Sequence, residues 1–202
     1  CFLHSWVAAG GDPAIEAESG RTALARAAAS GSLPALAAVL GYSSAGQNDP
    51  AVYKHILAAR PAFSVPALRL CLAHGAQPGA IIALLAVEAD AEVQLNAIIN
   101  SGVDVMGSPV LLSRAIQLNH VGCVASLLAA GAQISDDDMF QAFQHVLQTK
   151  PDGRVACLLL EAGGPVDARV NGKPLLLYLY ETGCVNLREK AALMYLERVK
   201  DP

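Results

Sequence analysis

The chain has 202 residues, of which 53% are hydrophobic, 5% aromatic and 16% charged, and its formal net charge at pH 7 is −4. This acidic balance argues against nucleic acid and anionic membrane as partners, because both require a basic protein surface. No segment approaches the roughly 20 consecutive apolar residues of a membrane span. The longest apolar run, "GAIIALLAV" at 79–87, is followed directly by Glu88 and predicts a buried helix.

The cysteines are few and far apart, and no two are spaced as CxxC. They are Cys1, Cys71, Cys123, Cys157 and Cys184. An odd number at such separations is unlike a disulfide framework or a zinc site, so we expect buried thiols in a reducing compartment, the cytoplasm. The sequence predicts no metal and no cofactor. Because the chain begins "CFLHSW" without an initiator methionine, we expect it to be excised from a longer polypeptide.

Short glycine-centred segments recur along the chain, each after an apolar stretch typical of a helix. In chain order they are "AAGGDP" at 8–13, "AHGAQP" at 73–78, "NSGVDV" at 100–105, "AAGAQI" at 129–134 and "EAGGPV" at 161–166. Their leading glycines, Gly10, Gly75, Gly102, Gly131 and Gly163, are 65, 27, 29 and 32 residues apart. The first gap spans two intervals, so the period is about 30 residues, in the range of helical repeat proteins.

The same segments indicate where helices end and begin. Each leading glycine is expected at a helix end, where a left-handed backbone costs other residues about 1 kcal/mol. Helix starts are expected at or near Thr22, Pro50, Pro61, Ser135 and Pro174. A hydroxyl can cap a free backbone N–H, and proline has no backbone N–H that would need a cap. The resulting units are 1–19 (partial), 20–46, 50–76, 79–102, 107–132, 136–164 and 172–199, within a single domain 1–202.

This period and these motifs resemble the ankyrin repeat, a unit of about 33 residues with a turn and two helices. Three segments resemble the family motif: "GRTALARAAASG" at 20–31, "SPVLLSRAIQLNHVGCVASLLAAGA" at 108–132 and "NGKPLLLYLYETG" at 171–183. The resemblance implies an all-α ankyrin-repeat solenoid of about six stacked helix-turn-helix units. Short spacings between glycine and helix predict short or missing β-fingers in the middle, with full fingers after Gly10 and Gly163.

In the ankyrin family, finger tips and first helices bind other proteins, so the resemblance implies a non-enzymatic protein-protein interaction module. The positions carried over as contacts with a partner are Glu18, Arg21, Ser30, Met106, Pro109, Gln117, Asn171, Lys173, Glu181 and Thr182. Tyr178 and Tyr180 are added because residues two apart on a helix face different sides, which leaves one of them exposed. One of Phe140 and Phe143 is also expected to face outward, with a weaker case for binding.

Other interpretations stay open. The degenerate, alanine-rich repeats also resemble the ankyrin region of bacterial arginine ADP-riboxanase effectors of the OspC/CopC type. That resemblance implies a caspase-binding region in the host-cell cytosol, with a catalytic domain outside this chain. The chain has no HExxH motif, nucleophile elbow or P-loop, so no catalytic residue is assigned. A ligand-binding or structural helical-repeat domain is the remaining alternative.

The aspartate run at 136–138 is a candidate cation site. It lacks the alternating ligands and terminal glutamate of a calcium loop. Ser135 directly before it, and carboxylates in the first helical turn, instead predict a helix cap.

Overall fold

The computed structural model describes residues 22–42, 48–104, 108–149, 153–165, 169–170, 173–174, 177 and 192–193. The described residues form ten α-helices and one two-residue strand pair, which confirms the predicted all-α class. No described helix is long and apolar enough to cross a bilayer. The helices are α1 (Ala23–Ala29), α2 (Leu33–Tyr42), α3 (Pro50–Ala58), α4 (Pro61–Ala73), α5 (Ala80–Glu88), α6 (Glu92–Asn100), α7 (Pro109–Gln117), α8 (Val121–Ala129), α9 (Asp136–Thr149) and α10 (Arg154–Glu161).

The chain divides into two compact units, Cys1–Asp104 and Val105–Pro202. In the first unit, α1 contacts α3 and α3 contacts α5, while α2 contacts α4 and α4 contacts α6. Three helix pairs are therefore stacked, with first helices against first helices and second against second. In the second unit, α7 contacts α9 and α8 contacts α10, which repeats the pattern with two pairs. The prediction of one domain over 1–202 stays a prediction.

Three of the first helices, α3, α5 and α7, bury their apolar residues with a common spacing of i, i+1, i+4 and i+5. This spacing places four side chains on one stripe of a helix. The stripes start at Val52, Ile82 and Leu111, which are 30 and 29 residues apart. The period in the sequence therefore matches the interval between buried stripes. Their members are Val52, Tyr53, Ile56 and Leu57 in α3, Ile82, Ala83, Ala86 and Val87 in α5, and Leu111, Leu112, Ala115 and Ile116 in α7.

Left-handed residues follow seven of the ten described helices, among them the second helices α4, α6, α8 and α10, for which the sequence predicted them. The glycine at the end of α8 is representative: Gly131 has φ +89° and its N–H donates to the carbonyl of Leu128, while the Ala132 N–H donates to Leu127. Such paired bonds satisfy carbonyls that the helix end leaves open. The prediction is confirmed for Gly75, Gly102, Gly131 and Gly163, and Gly10 lies outside the described residues.

Three of the first helices end in left-handed residues of more varied type. Asp90 and Asn119 have φ of +50° and +56° and follow α5 and α7, and Gly31 occupies the corresponding place after α1. Aspartate and asparagine tolerate this conformation better than other side chains. Ala59 after α3 is extended, and the left-handed Gly153 directly precedes α10. A search for glycine alone therefore misses the ends of α5 and α7.

The strand pair consists of β1 (Arg169–Val170) and β2 (Lys173–Pro174), which are antiparallel with Val170 opposite Lys173. It lies after Gly163, in the stretch for which the sequence predicts a finger. Pro174 was expected at a helix start, but it lies at the end of β2, where an extended backbone also suits its fixed φ. Pro50 and Pro61 begin α3 and α4 as expected.

Two glycine-to-alanine substitutions separate backbone strain from packing. A β-carbon at either Gly75 or Gly41 would meet no atom within 4 Å. Gly75 has φ +89°, so Gly75→Ala is expected to lower the free energy of unfolding by about 1 kcal/mol. Gly41 lies inside α2, so Gly41→Ala is expected to raise it by up to about 1 kcal/mol. Urea unfolding measures both, and a stabilising Gly75→Ala would contradict the helix-end assignment.

Candidate functional site

The described residues include four of the predicted contact positions. Ser30 is exposed at the end of α1, where its hydroxyl donates to the Ala27 carbonyl at 2.7 Å. Pro109 and Gln117 are exposed at the two ends of α7. Lys173 lies in β2, and its side chain is outside the described part of the chain. The other predicted contacts also lie outside the described residues: Glu18, Arg21, Met106, Asn171, Tyr178, Tyr180, Glu181 and Thr182.

A groove of about 390 Å³ lies between α7 and α9 in the second unit, and we call it the α7–α9 groove. Gln117 is the predicted contact residue that it contains. The other five lining residues belong to α9 and are spaced i, i+3, i+4, i+7 and i+8, so they form a single stripe along that helix. That periodicity, in polar residues and one aromatic, is the signal that could have identified the groove from the sequence. These residues are Asp137, Phe140, Gln141, Gln144 and His145.

Asp138, buried in the first turn of α9, links α9 to α7. Its Oδ2 accepts hydrogen bonds from the Ser135 N–H at 3.0 Å and the Ser135 hydroxyl at 2.7 Å. The Asp138 N–H in turn donates to Ser135 Oγ at 3.2 Å, which is a reciprocal helix cap. From α7, the Ser113 hydroxyl donates to Asp138 Oδ1 at 2.5 Å. One carboxylate therefore caps α9 and holds α7 beside it.

The predicted cap at Ser135 is confirmed, but the three aspartates behind it differ. Asp136 and Asp137 are exposed, whereas Asp138 is 1% exposed. The Ser-x-x-Asp spacing is a local signal for the cap. The bond from Ser113 joins residues 25 apart and could not be predicted from spacing alone.

The lining of the α7–α9 groove is rich in hydrogen-bond acceptors. Gln141 Nε2 donates to Asp137 Oδ2 at 3.3 Å, which identifies the amide nitrogen because a carboxylate can only accept. The Oε1 atom of Gln141 is then buried without a hydrogen-bond partner. Phe140 is half-buried beside it, while Phe143 is 1% exposed. Phe140 is therefore the more accessible of the two rings, and the expectation that one of them faces outward stays a prediction.

A second groove, of about 550 Å³, lies in the first unit between the turn after α4 and the turn after α6. The Asn48 side-chain oxygen accepts from the Gln77 N–H at 2.8 Å and holds the first of these turns. The Ser101 hydroxyl donates to the Ile98 carbonyl at 2.6 Å and belongs to the second. Four of its eight lining residues are glycine, alanine or serine. It is lined by Gln77, Pro78, Gly79, Ala80, Ser101, Gly102, Val103 and Asp104.

Two titratable groups are buried in the core of the first unit. Burial raises the pKa of the Cys71 thiol to about 11. Burial, and secondly the charge of Cys71, raise the pKa of Tyr53, whose hydroxyl has no hydrogen-bond partner. Both groups are protonated at neutral pH, and a thiol is a far weaker nucleophile than a thiolate. Cys71 is therefore a core residue. The expectation of buried thiols is confirmed for Cys71 and Cys123, Cys157 is only half-buried, and Cys1 and Cys184 lie outside the described residues.

Comparison with protein-family models and with curated proteins finds no match for this sequence. The α7–α9 groove brings together Gln117, predicted as a contact, Asp137, predicted as part of a helix cap, and Phe140.

The link between α7 and α9 can be tested at Asp138. Asp138→Ala leaves the Ser113 hydroxyl and the Ser135 N–H without their acceptor, so we expect a loss of about 2–4 kcal/mol in unfolding free energy. Asp136→Ala, in the same helical turn but exposed, should cost at most about 1 kcal/mol. A double-mutant cycle of Asp138→Ala with Ser113→Ala should show coupling above about 0.5 kcal/mol. Additive effects would mean that the two helices are not linked here.

The raised pKa of Cys71 predicts a pH dependence of stability. In the unfolded chain this thiol loses its proton near its ordinary pKa of 9.0, whereas in the folded protein its pKa is about 11. The folded state holds the proton longer, so stability should fall as pH rises through this window, by up to about 1.4 kcal/mol per pH unit from this group.

Cys71→Ala removes this titration without adding charge. Urea unfolding between pH about 8 and about 11 should therefore show a shallower decline in the variant than in the wild type. Equal slopes in the two proteins would show that the thiol titrates alike in the folded and unfolded states.

Proposed function

We propose that this chain is a protein-binding module built from ankyrin-type repeats. Stacked helix pairs support the proposal, since first helices contact first helices and second contact second in each unit. Buried stripes 29 or 30 residues apart, and left-handed helix ends, also agree with such repeats. A stack of this kind leaves the outer side of the first helices and the turns available to a partner.

The observation that carries the proposal is an apolar residue exposed at the same place in two repeats. Ile81 is the second residue of α5 and is 64% exposed, and Val110 is the second residue of α7 and is 60% exposed. Each directly precedes a buried stripe that is complete without it. These two side chains therefore contribute little to the core and leave apolar surface open to a partner.

The compartment is part of the same proposal. Cys71 and Cys123 are buried as thiols, which is the usual state of cysteine in reducing compartments. We propose that the module meets its partner in a cytoplasm, where such thiols persist.

A pair of matched valine substitutions tests the proposed surface. Val110 in a first helix and Val93 in a second helix are 60% and 59% exposed. The measurement is retention of a partner protein by the immobilised chain. A partner that the wild type retains should be lost with Val110→Glu, because a charge placed in an apolar contact reduces the binding free energy by more than about 1 kcal/mol. The same partner should be retained by Val93→Glu, and both variants should keep the wild-type melting temperature.

The proposal fails if no protein is retained specifically, or if Val93→Glu abolishes retention as fully as Val110→Glu does. A parallel thermal-shift series with NAD and with zinc addresses the alternative of a ligand-binding domain. A shift of several degrees with either would favour that alternative.

A further inference from the structure

We infer that the α7–α9 groove binds an arginine side chain of the partner protein. This inference rests on the proposed protein-binding function and names the chemical group that one part of the surface recognises. Three features carry it: an exposed carboxylate at Asp137, an amide oxygen without a donor at Gln141, and the half-buried ring of Phe140.

The carboxylate of Asp137 is available to a stronger donor than the one it has. Its bond from Gln141 Nε2 is 3.3 Å long, at the weak end for an N–H···O hydrogen bond. A guanidinium presents a planar fork of charged N–H donors that matches a carboxylate. An arginine entering the groove therefore replaces a weak neutral donor at Asp137 with a charge-assisted one.

In the same exchange Gln141 gives up its bond to Asp137, and its Oε1 gains a donor. In the unbound chain its Oε1 is buried without a donor, which costs free energy. Once its Nε2 leaves Asp137, the amide is free to turn, and Oε1 accepts one of the remaining guanidinium N–H groups. The bound arginine then satisfies two acceptors that the groove holds one helical turn apart.

The ring of Phe140 selects arginine over lysine. A planar guanidinium stacks on an aromatic face, whereas an ammonium is a compact, strongly hydrated charge. Asp136 and Asp137, both exposed in the first turn of α9, disfavour an anionic guest. Arg114, whose Nη1 donates to Oε1 of the lining residue Gln117 at 3.5 Å, carries a positive charge that repels a cationic guest. We therefore expect only millimolar affinity for an isolated arginine.

The test uses the full chain labelled with ¹⁵N and three small probes: the N-acetyl methylamides of arginine, lysine and citrulline. Citrulline has nearly the shape of arginine without the charge. The arginine probe should shift the side-chain amide signals of Gln141 and Gln144 saturably, the lysine probe should bind at least about fivefold more weakly, and citrulline should not saturate. Equal responses to arginine and either other probe, or no saturable shift with arginine, would overturn the inference.

Two aspartate variants with the same change in charge locate the site. Asp137→Asn should weaken arginine binding about tenfold, because it removes the charged acceptor. Asp136→Asn, one residue earlier and outside the groove lining, should change it by less than about twofold. Equal effects would reduce the interaction to general attraction by the helix end and would also overturn the inference.

The outcomes separate this inference from the proposed function. A partner that depends on Val110, together with an arginine probe that does not bind, would refute the arginine site and leave the binding module intact. An arginine probe that binds, with no partner protein retained, would refute the binding module and leave only the affinity of the groove for a guanidinium group.

Discussion

The burial of one apolar stripe per first helix against the next first helix is the constraint on which the described structure depends. A single helix pair has nowhere to bury this stripe, because its own second helix covers only part of the first. In the first unit, α3 lies between α1 and α5 and is covered from both sides. The interval between stripes then sets the repeat length, and the left-handed helix ends turn the chain back within that length.

Hydrogen bonds between neighbouring helix pairs fix the position of one pair against the next. Leucine and alanine stripes pack nearly as well after a small slide, whereas a buried hydrogen bond has one geometry. In the first unit, Gln94 Nε2 of α6 donates to Ser64 Oγ of α4 at 2.6 Å, and both side chains are buried. In the second unit, Asp138 and Ser113 join first helices in the same way. Each link sets the position of one repeat against the next.

The α7–α9 groove follows from the same link. Asp138 is turned toward α7. The preceding residue, Asp137, and the residues about one and two turns after it then face the space between the two helices. Asp137, Phe140, Gln141 and Gln144 therefore line one groove without a loop or an insertion. A structural capping residue thus determines which neighbouring side chains line the groove.

The sequence by itself determined the features that arise within one helix or one turn. The all-α class, the period of about 30 residues, the glycine helix ends and the Ser135 cap are of this kind, because each depends on residues a few positions apart. Gly131 is the clearest case, since its φ of +89° follows from where the apolar run stops.

The tertiary structure alone decided which side chains of a helix meet another helix. Three consecutive aspartates are alike in the sequence, yet only Asp138 is buried, because Ser113, 25 residues earlier, donates to it. The unsatisfied oxygen of Gln141 and the partial exposure of Phe140 likewise depend on how α7 lies beside α9. Contacts between distant residues are set by packing of whole helices, so local spacing cannot specify them.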